Sequence, residues 1–168
     1  MHAVVVYESH WGNTAAIAKA IAAGLGPDTR VLTTDEADGP ALADVDLLVA
    51  GAPVIAFGLA SDKVRKDIAN DPSGAPTAPD VSHESMKSWL ERVPPGTARA
   101  AAFETRMRWS PGGATGAISR GLGAAGYRPI HEVGRFVVKG KFGPLREGEL
   151  EKARRWGANL ATAVGATE

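Results

Sequence analysis

Val5-Val6-Tyr7-Glu8-Ser9-His10-Trp11-Gly12-Asn13-Thr14 is the stretch whose reading decides the fold of this chain. It joins the end of an apolar run, a short polar loop and the start of a helical pattern. The run Ala3-Val4-Val5-Val6-Tyr7 is continuous and rich in β-branched residues, the signature of a strand buried on both faces. Over residues 13–25 the apolar residues Ile17, Ala18, Ile21, Ala22 and Leu25 recur at helical spacing. Gly24 and Gly26, followed by Pro27, supply the stop signal. In between, Ser9, Asn13 and Thr14 offer side-chain donors, and Gly12 lets the backbone approach a ligand closely. The first turn of a helix carries unpaired N–H groups and the positive end of the macrodipole. Such a loop suits a phosphate without any Lys or Arg. None stands between positions 1 and 18, unlike a P-loop, which needs its Lys. The plainer reading is a polar βα turn with Ser9 or Asn13 as an ordinary cap.

Outward from this stretch, strand and helix patterns alternate. Residues 30–34 read as a second, weaker strand, 46–51 as a buried third, 99–104 as a fourth and 133–138 as a fifth. Helices are predicted over 59–70 with Ser61 as N-cap, over 83–92 capped by Ser82 or Asp80, and over 114–125. A last helix is predicted over 147–164, with Leu150, Ala153, Trp156, Gly157, Leu160 and Val164 as its buried stripe. Pro72, Gly74, Pro76 and Pro79 make the third crossover an irregular loop, and loops longer than about 12–15 residues are usually functional or disordered. Alternating strands and helices imply βαβ crossovers and a parallel sheet covered on both faces. With 168 residues and no repeat or linker, one domain spanning 1–168 is expected.

Composition narrows the function. There is no cysteine, so no disulfide framework, thiolate nucleophile or Cys-ligated metal. No apolar run approaches the roughly 20 residues that span a bilayer. Met1 and His2 lead straight into a strand pattern with no basic n-region, so a cytoplasmic protein is expected. A formal net charge of zero argues against a nucleic-acid binder held by a broad basic field. That zero hides an asymmetry. Residues 1–84 hold 5 Lys/Arg against 12 Asp/Glu, a balance of −7, and residues 85–168 hold 14 against 7, a balance of +7.

The stretch 5–14 resembles, position by position, the N-terminal signature of the flavodoxin family. An aromatic ends the strand, a Ser follows two residues later, and Gly-Asn-Thr opens a helix packed by Ala18 and Ile21. The resemblance implies an α/β flavodoxin-like three-layer sandwich with a five-stranded parallel sheet of order 2-1-3-4-5. It also implies FMN as cofactor, with Ser9, His10, Trp11, Gly12, Asn13 and Thr14 around its phosphate. Trp11 departs from the family, which usually carries a hydroxyl there. Asp46-Leu-Leu-Val-Ala-Gly-Ala-Pro53 looks like the family's third strand and following loop, so Ala52, Pro53, Val54 and Ile55 would border the flavin ring. Phe57 reads as a ring contact or, more simply, as core.

The loop after the fourth strand, Thr105-Arg-Met-Arg-Trp-Ser-Pro-Gly-Gly113, stands where the family builds the second wall of its flavin site. The resemblance therefore assigns Thr105, Arg106, Arg108, Trp109, Gly112 and Gly113 to the cofactor. Trp109 is a ring contact or a surface Trp. Arg106 and Arg108 make cationic a loop that shuttle flavodoxins usually keep acidic. Residues 136–157, with Gly143-Pro144-Leu145 before the last helix and Trp156-Gly157 within it, resemble flavodoxin-domain proteins of high-GC bacteria.

Other signals carry less. Gly121-Leu-Gly-Ala-Ala-Gly126 ends a helix instead of opening one, so it lacks the context of a dinucleotide fingerprint. The four histidines show no metal spacing, no metal site is expected, and His10 reads as a loop residue facing water. Glu104, at a buried strand end, reads as an ion pair with Arg106 or Arg99. Three functions compete. One is electron carriage to a redox partner protein. Another is an FMN-dependent oxidoreductase of the quinone or protoporphyrinogen type acting on a small redox substrate. The third is a flavodoxin-like module that has lost FMN.

Overall fold

The computed structural model describes residues 1–71 and 73–166. Pro72, assigned above to the irregular loop, lies outside the described residues. The elements run β1 Ala3–Tyr7, α1 Asn13–Leu25, β2 Arg30–Thr33, α2 Gly39–Leu42, β3 Leu47–Pro53, α3 Asp62–Asn70 and α4 Met86–Arg92. They continue with β4 Arg99–Met107, α5 Thr115–Ala124, β5 Arg128–Pro129, β6 Gly134–Val138 and α6 Glu149–Gly165. The sheet is parallel with order β2-β1-β3-β4-β5, and β6 pairs with β4 beyond β5. This is the 2-1-3-4-5 order expected of the flavodoxin-like fold.

Strand periodicity divides the core into two layers. Val5, Val49, Ala101 and Phe103 face α1 and α6, where Ile17, Ile21, Trp156 and Leu160 pack on them. Val4, Val6, Leu48 and Ala50 face the other way, against Met86 and Trp89 of α4 and Ile118 and Leu122 of α5. Helices α1 and α6 touch through small residues. A Cβ at Gly157 would lie 2.2 Å from the Ile21 carbonyl oxygen, so the backbones meet only because no side chain intervenes. Trp156 beside it packs edge-on to Phe136, with centroids 6.1 Å apart.

Several expectations change. The fifth strand is two pieces, because exposed His131 and Glu132 carry the chain away from β4 before Gly134 rejoins it opposite Phe103. β4 runs on to Met107, so the fourth strand enters the loop assigned to the site. Ser85 caps α4 by accepting the Ser88 N–H at 3.1 Å. Asp80 is instead occupied with the N–H and hydroxyl of Ser82. Leu150 is exposed, since it lies on the outer side of α6 while Ala153 and Trp156 face the sheet. The short α2, capped by Asp38, had no periodic signal to announce it.

Candidate functional site

Beyond the C-terminal end of β1 the chain turns outward into α1. Gly12, at φ 89°, adopts the left-handed conformation that side chains disfavour. Its N–H donates to Ser9 Oγ at 3.2 Å, which leaves the Ser9 hydroxyl proton free. No side chain caps α1, so neither Ser9 nor Asn13 is a conventional cap, and the N–H groups of the first turn lack intrahelical partners. Asn13 Nδ2 donates to the Phe142 carbonyl at 3.1 Å, tying this loop to the one before α6. The buried hydroxyls of Thr14 and Thr105 lie 2.7 Å apart. One donates to the other, so the pair retains one proton for a ligand.

His10 is enclosed, with 3% exposure, and does not face water as expected. The reason is a cluster of side chains from distant segments. His10 Nε2 is 3.1 Å from Glu8 Oε1, and Arg65 Nε of α3 is 3.5 Å from the same oxygen. Glu8 Oε2 accepts the Met86 N–H at 2.6 Å, at the start of α4. These approaches are close but poorly aligned. Both His10 nitrogens, Glu8 Oε1, Arg65 Nε and Trp11 Nε1 are buried without a hydrogen bond. Such atoms are costly unless a ligand or water meets them. His83 Nε2 accepts the Ser9 N–H at 3.2 Å, so its proton sits on Nδ1, 3.6 Å from Asp80 Oδ1. The Asp80 N–H donates to the His10 carbonyl at 2.8 Å. Residues 80–83 thus brace the loop after β1. The Ser82 hydroxyl and N–H, with His83 nearby, hold the Asp80 carboxyl below its usual range.

Above these groups opens a cavity of about 570 Å³. It stands beyond the C-terminal ends of β1, β3 and β4, at the switch point where the sheet order reverses. Of the residues assigned from the sequence, Ser9, His10, Trp11, Asn13, Thr14, Pro53, Val54, Ile55, Thr105 and Arg106 line it. Gly12, Ala52, Gly112 and Gly113 support its loops without lining it. Arg108 and Trp109 line a different cleft. Arg106 does not reach into solvent. Its guanidinium donates to Glu104 at 2.8 Å, to the Gly112 carbonyl at 3.1 Å and to the Ser110 carbonyl, so it clamps the turn after β4. Glu104 is fully buried, pairs with Arg106 as expected, and has Arg135 Nε 3.4 Å away as its second cation.

The wall formed by α3 was not foreseen. Val64 and Ile68 line the cavity with Asp67 and Asp71, and no residue of α3 is buried in the core. The available signal was an i, i+4 apolar pair on an otherwise charged helix. The Ser73 hydroxyl and N–H hold the Asp71 carboxyl below its usual range. Lys141 lines the cavity too and adds to the lowering of Asp71, so the lining carries both signs. On the β3 side, Ala56 and Phe57 sit at φ 48° and 72° in a tight turn closed by Ile55 and Gly58. Left-handed non-glycine residues are uncommon and gather at functional sites. Phe57 is 71% exposed at the tip of this turn, so the reading of it as core is corrected. Its carbonyl accepts the Gly113 N–H at 3.1 Å, joining the two walls.

No protein-family model matches the sequence, and no curated protein matches it. Solved structures do. A flavodoxin from the domain Archaea superposes with a TM-score of 0.68 at 20% identity, covering 98% of this chain and 99% of that one. The fold is that of flavodoxins. Oxidised Flavodoxin 2 from Bacillus cereus agrees at TM-score 0.65 and 16% identity, over 100% of both chains. A WrbA-like flavodoxin from Agrobacterium tumefaciens follows at 0.60 and 18%, covering 99% of this chain and 98% of its own. Nothing in these likenesses singles out the high-GC bacterial subgroup. No helix among the described residues is long and apolar enough to cross a membrane, and no group of potential metal ligands is present among them.

Proposed function

We propose that this chain is a cytoplasmic, single-domain FMN-binding redox protein. One observation carries the reading. A loop with the geometry of an anion cradle, containing no Lys or Arg, opens into a cavity at the switch point of a flavodoxin-like sheet. A volume of about 570 Å³ lies within the roughly 300–1,000 Å³ of small-molecule pockets. The donor set fits a phosphate ester. The first-turn N–H groups of α1, the Ser9 hydroxyl and the spare proton of the Thr14–Thr105 pair would hold its oxygens. Pro53, Val54, Ile55 and Met107 offer the apolar surface a flavin ring needs.

When bound, FMN would supply electron transfer, and the protein would supply position and electrostatics. The chain's own part is to exclude water with α3 and to hold the Arg106 turn against the Phe57 turn. The enzyme reading has one observation in its favour. Val64, Asp67 and Ile68 of α3 add a wall to the cavity, and a walled cavity suits a small substrate. A redox partner protein and a small redox substrate remain the two classes of reactant.

The visible spectrum of the purified protein tests the proposal, followed by FMN titration of the apoprotein. Flavin absorption at near-stoichiometric occupancy is the expected result. A colourless protein with no FMN signal at micromolar concentrations would refute it and leave a flavodoxin-like module with another ligand.

A further inference from the structure

On the far side of the turn after β4 lies a second cleft, of about 460 Å³. It shares Met107, Ser110, Pro111 and Val138 with the main cavity, so one strand end separates the two. Trp109 stands in it with 84% of its surface exposed, and Met107 beside it is 43% exposed. These are two of the few large apolar side chains that the fold leaves in water. Three cations, Arg108, Lys139 and Arg146, line the same cleft, and no carboxylate does. The Arg108 guanidinium lies over the Trp109 ring at 5.0 Å. Among the described residues, no carboxylate lies within 4.0 Å of Arg108 or Lys139. Arg146 does pair, with Glu149 at 2.7 Å, but Lys152 shares that carboxylate at 3.5 Å, so the corner stays positive.

An exposed indole beside two cations that no carboxylate neutralises is complementary to a planar anion. The ring stacks on the indole, and the acidic group meets the guanidinium and the ammonium. We propose that this cleft binds a small aromatic anion. Its ring would lie against Trp109 and Met107, and its carboxylate, sulfonate or phosphate against Arg108 and Lys139. A concave volume of this size fits a small molecule better than the flat face of a protein. The inference rests on the flavin reading only for its use, as a substrate subsite beside the cofactor. Binding of the anion does not depend on it.

The test is titration calorimetry of the full chain with naphthalene-2-sulfonate at low salt. Naphthalene-2-methanol serves as the uncharged analogue, and indole N–H resonances are followed by NMR. The sulfonate should bind more tightly than the alcohol, weaken as salt is added, and shift the Trp109 resonance, assigned by its loss in Trp109→Ala. Arg108→Glu with Lys139→Glu should weaken sulfonate binding about ten-fold, the effect of reversing two exposed charge contacts. The thermal midpoint should stay unchanged, since both side chains are exposed. Equal binding of sulfonate and alcohol, an unchanged affinity in the double variant, or a shift confined to Trp11 would each overturn the proposal. So would sulfonate displacement by poly-glutamate at lower concentration than by the free sulfonate, which would assign the surface to an acidic protein. FMN titration of the same sample separates the two readings. FMN binding without sulfonate binding removes this inference alone, and the converse removes the flavin reading alone.

Discussion

Glu104→Gln should cost about 3–5 kcal/mol of stability, the range for breaking a buried charged pair. The native carboxylate is fully buried and spends both oxygens. Oε2 accepts the Ala114 and Thr115 N–H groups at 2.7 and 3.0 Å, at the N-terminus of α5. Oε1 accepts from Arg106 at 2.8 Å, with Arg135 Nε at 3.4 Å. Every group facing Glu104 is therefore a donor. Glutamine has the same shape but one oxygen and one NH₂. If its oxygen serves α5, its NH₂ points at the Arg106 guanidinium, and the reverse orientation points it at two backbone N–H groups. Either way a donor meets a donor, and hydrogen bonds that were charge-assisted become neutral ones of about half the strength. At about 2–4 °C per kcal/mol for a chain of this size, the thermal midpoint should fall by roughly 6–20 °C. Urea unfolding measures the loss directly. Because Arg106 also clamps the Ser110 and Gly112 carbonyls, the Gly113 amide should exchange faster with solvent in the variant. A loss below about 1 kcal/mol, the worth of an exposed pair, would show that this carboxylate does not anchor the site's second wall.

Other outcomes follow from separate contacts. Thr14→Ala and Thr105→Ala should each weaken FMN binding about 3–10-fold, the worth of one hydrogen bond, and the double variant no further, because the two hydroxyls share one available proton. Losses that multiply in a fluorescence titration would show that they act separately. Gly157→Ala should cost about 1–3 kcal/mol in urea unfolding, since its Cβ would lie 2.2 Å from the Ile21 carbonyl oxygen and force α1 and α6 apart; unchanged stability would refute the close approach. Burial raises the Tyr127 phenol above its ordinary 10.0, and its hydroxyl donates to the Pro94 carbonyl at 3.0 Å. The folded pKa is raised, so this contribution to stability is complete below pH 10 and lost as pH rises through the folded value. Tyr127→Phe should flatten that part of the stability curve, and an unaltered curve would assign the alkaline loss elsewhere.

What the sequence by itself determined was local. The β-branched run at 3–7 and the apolar run at 46–51 marked strands covered on both faces, and β1 and β3 are such strands. The polar loop ending in Gly12 marked a backbone turn into a helix, and Gly12 has the positive φ that only such a turn requires. These features are written in neighbouring residues, because strand burial, helical spacing and turn chemistry act over a few positions. The rest depended on which strand ends the sheet order brings together. Thr14 meets Thr105 across 91 positions, and Glu8 reaches Met86 across 78, with His10, Arg65 and His83 gathered round it. No periodicity records such pairings, so His10 read as a solvent-facing loop residue until the tertiary structure enclosed it. The same holds for the loop after β4. Arg106 and Trp109 looked alike as candidates for one site. The clamp on Glu104 turned Arg106 inward, and the extension of β4 to Met107 carried Trp109 past the main cavity to the cleft beyond. Tertiary structure decided that division because strand length and a buried ion pair, not residue type, set which way each side chain leaves the sheet.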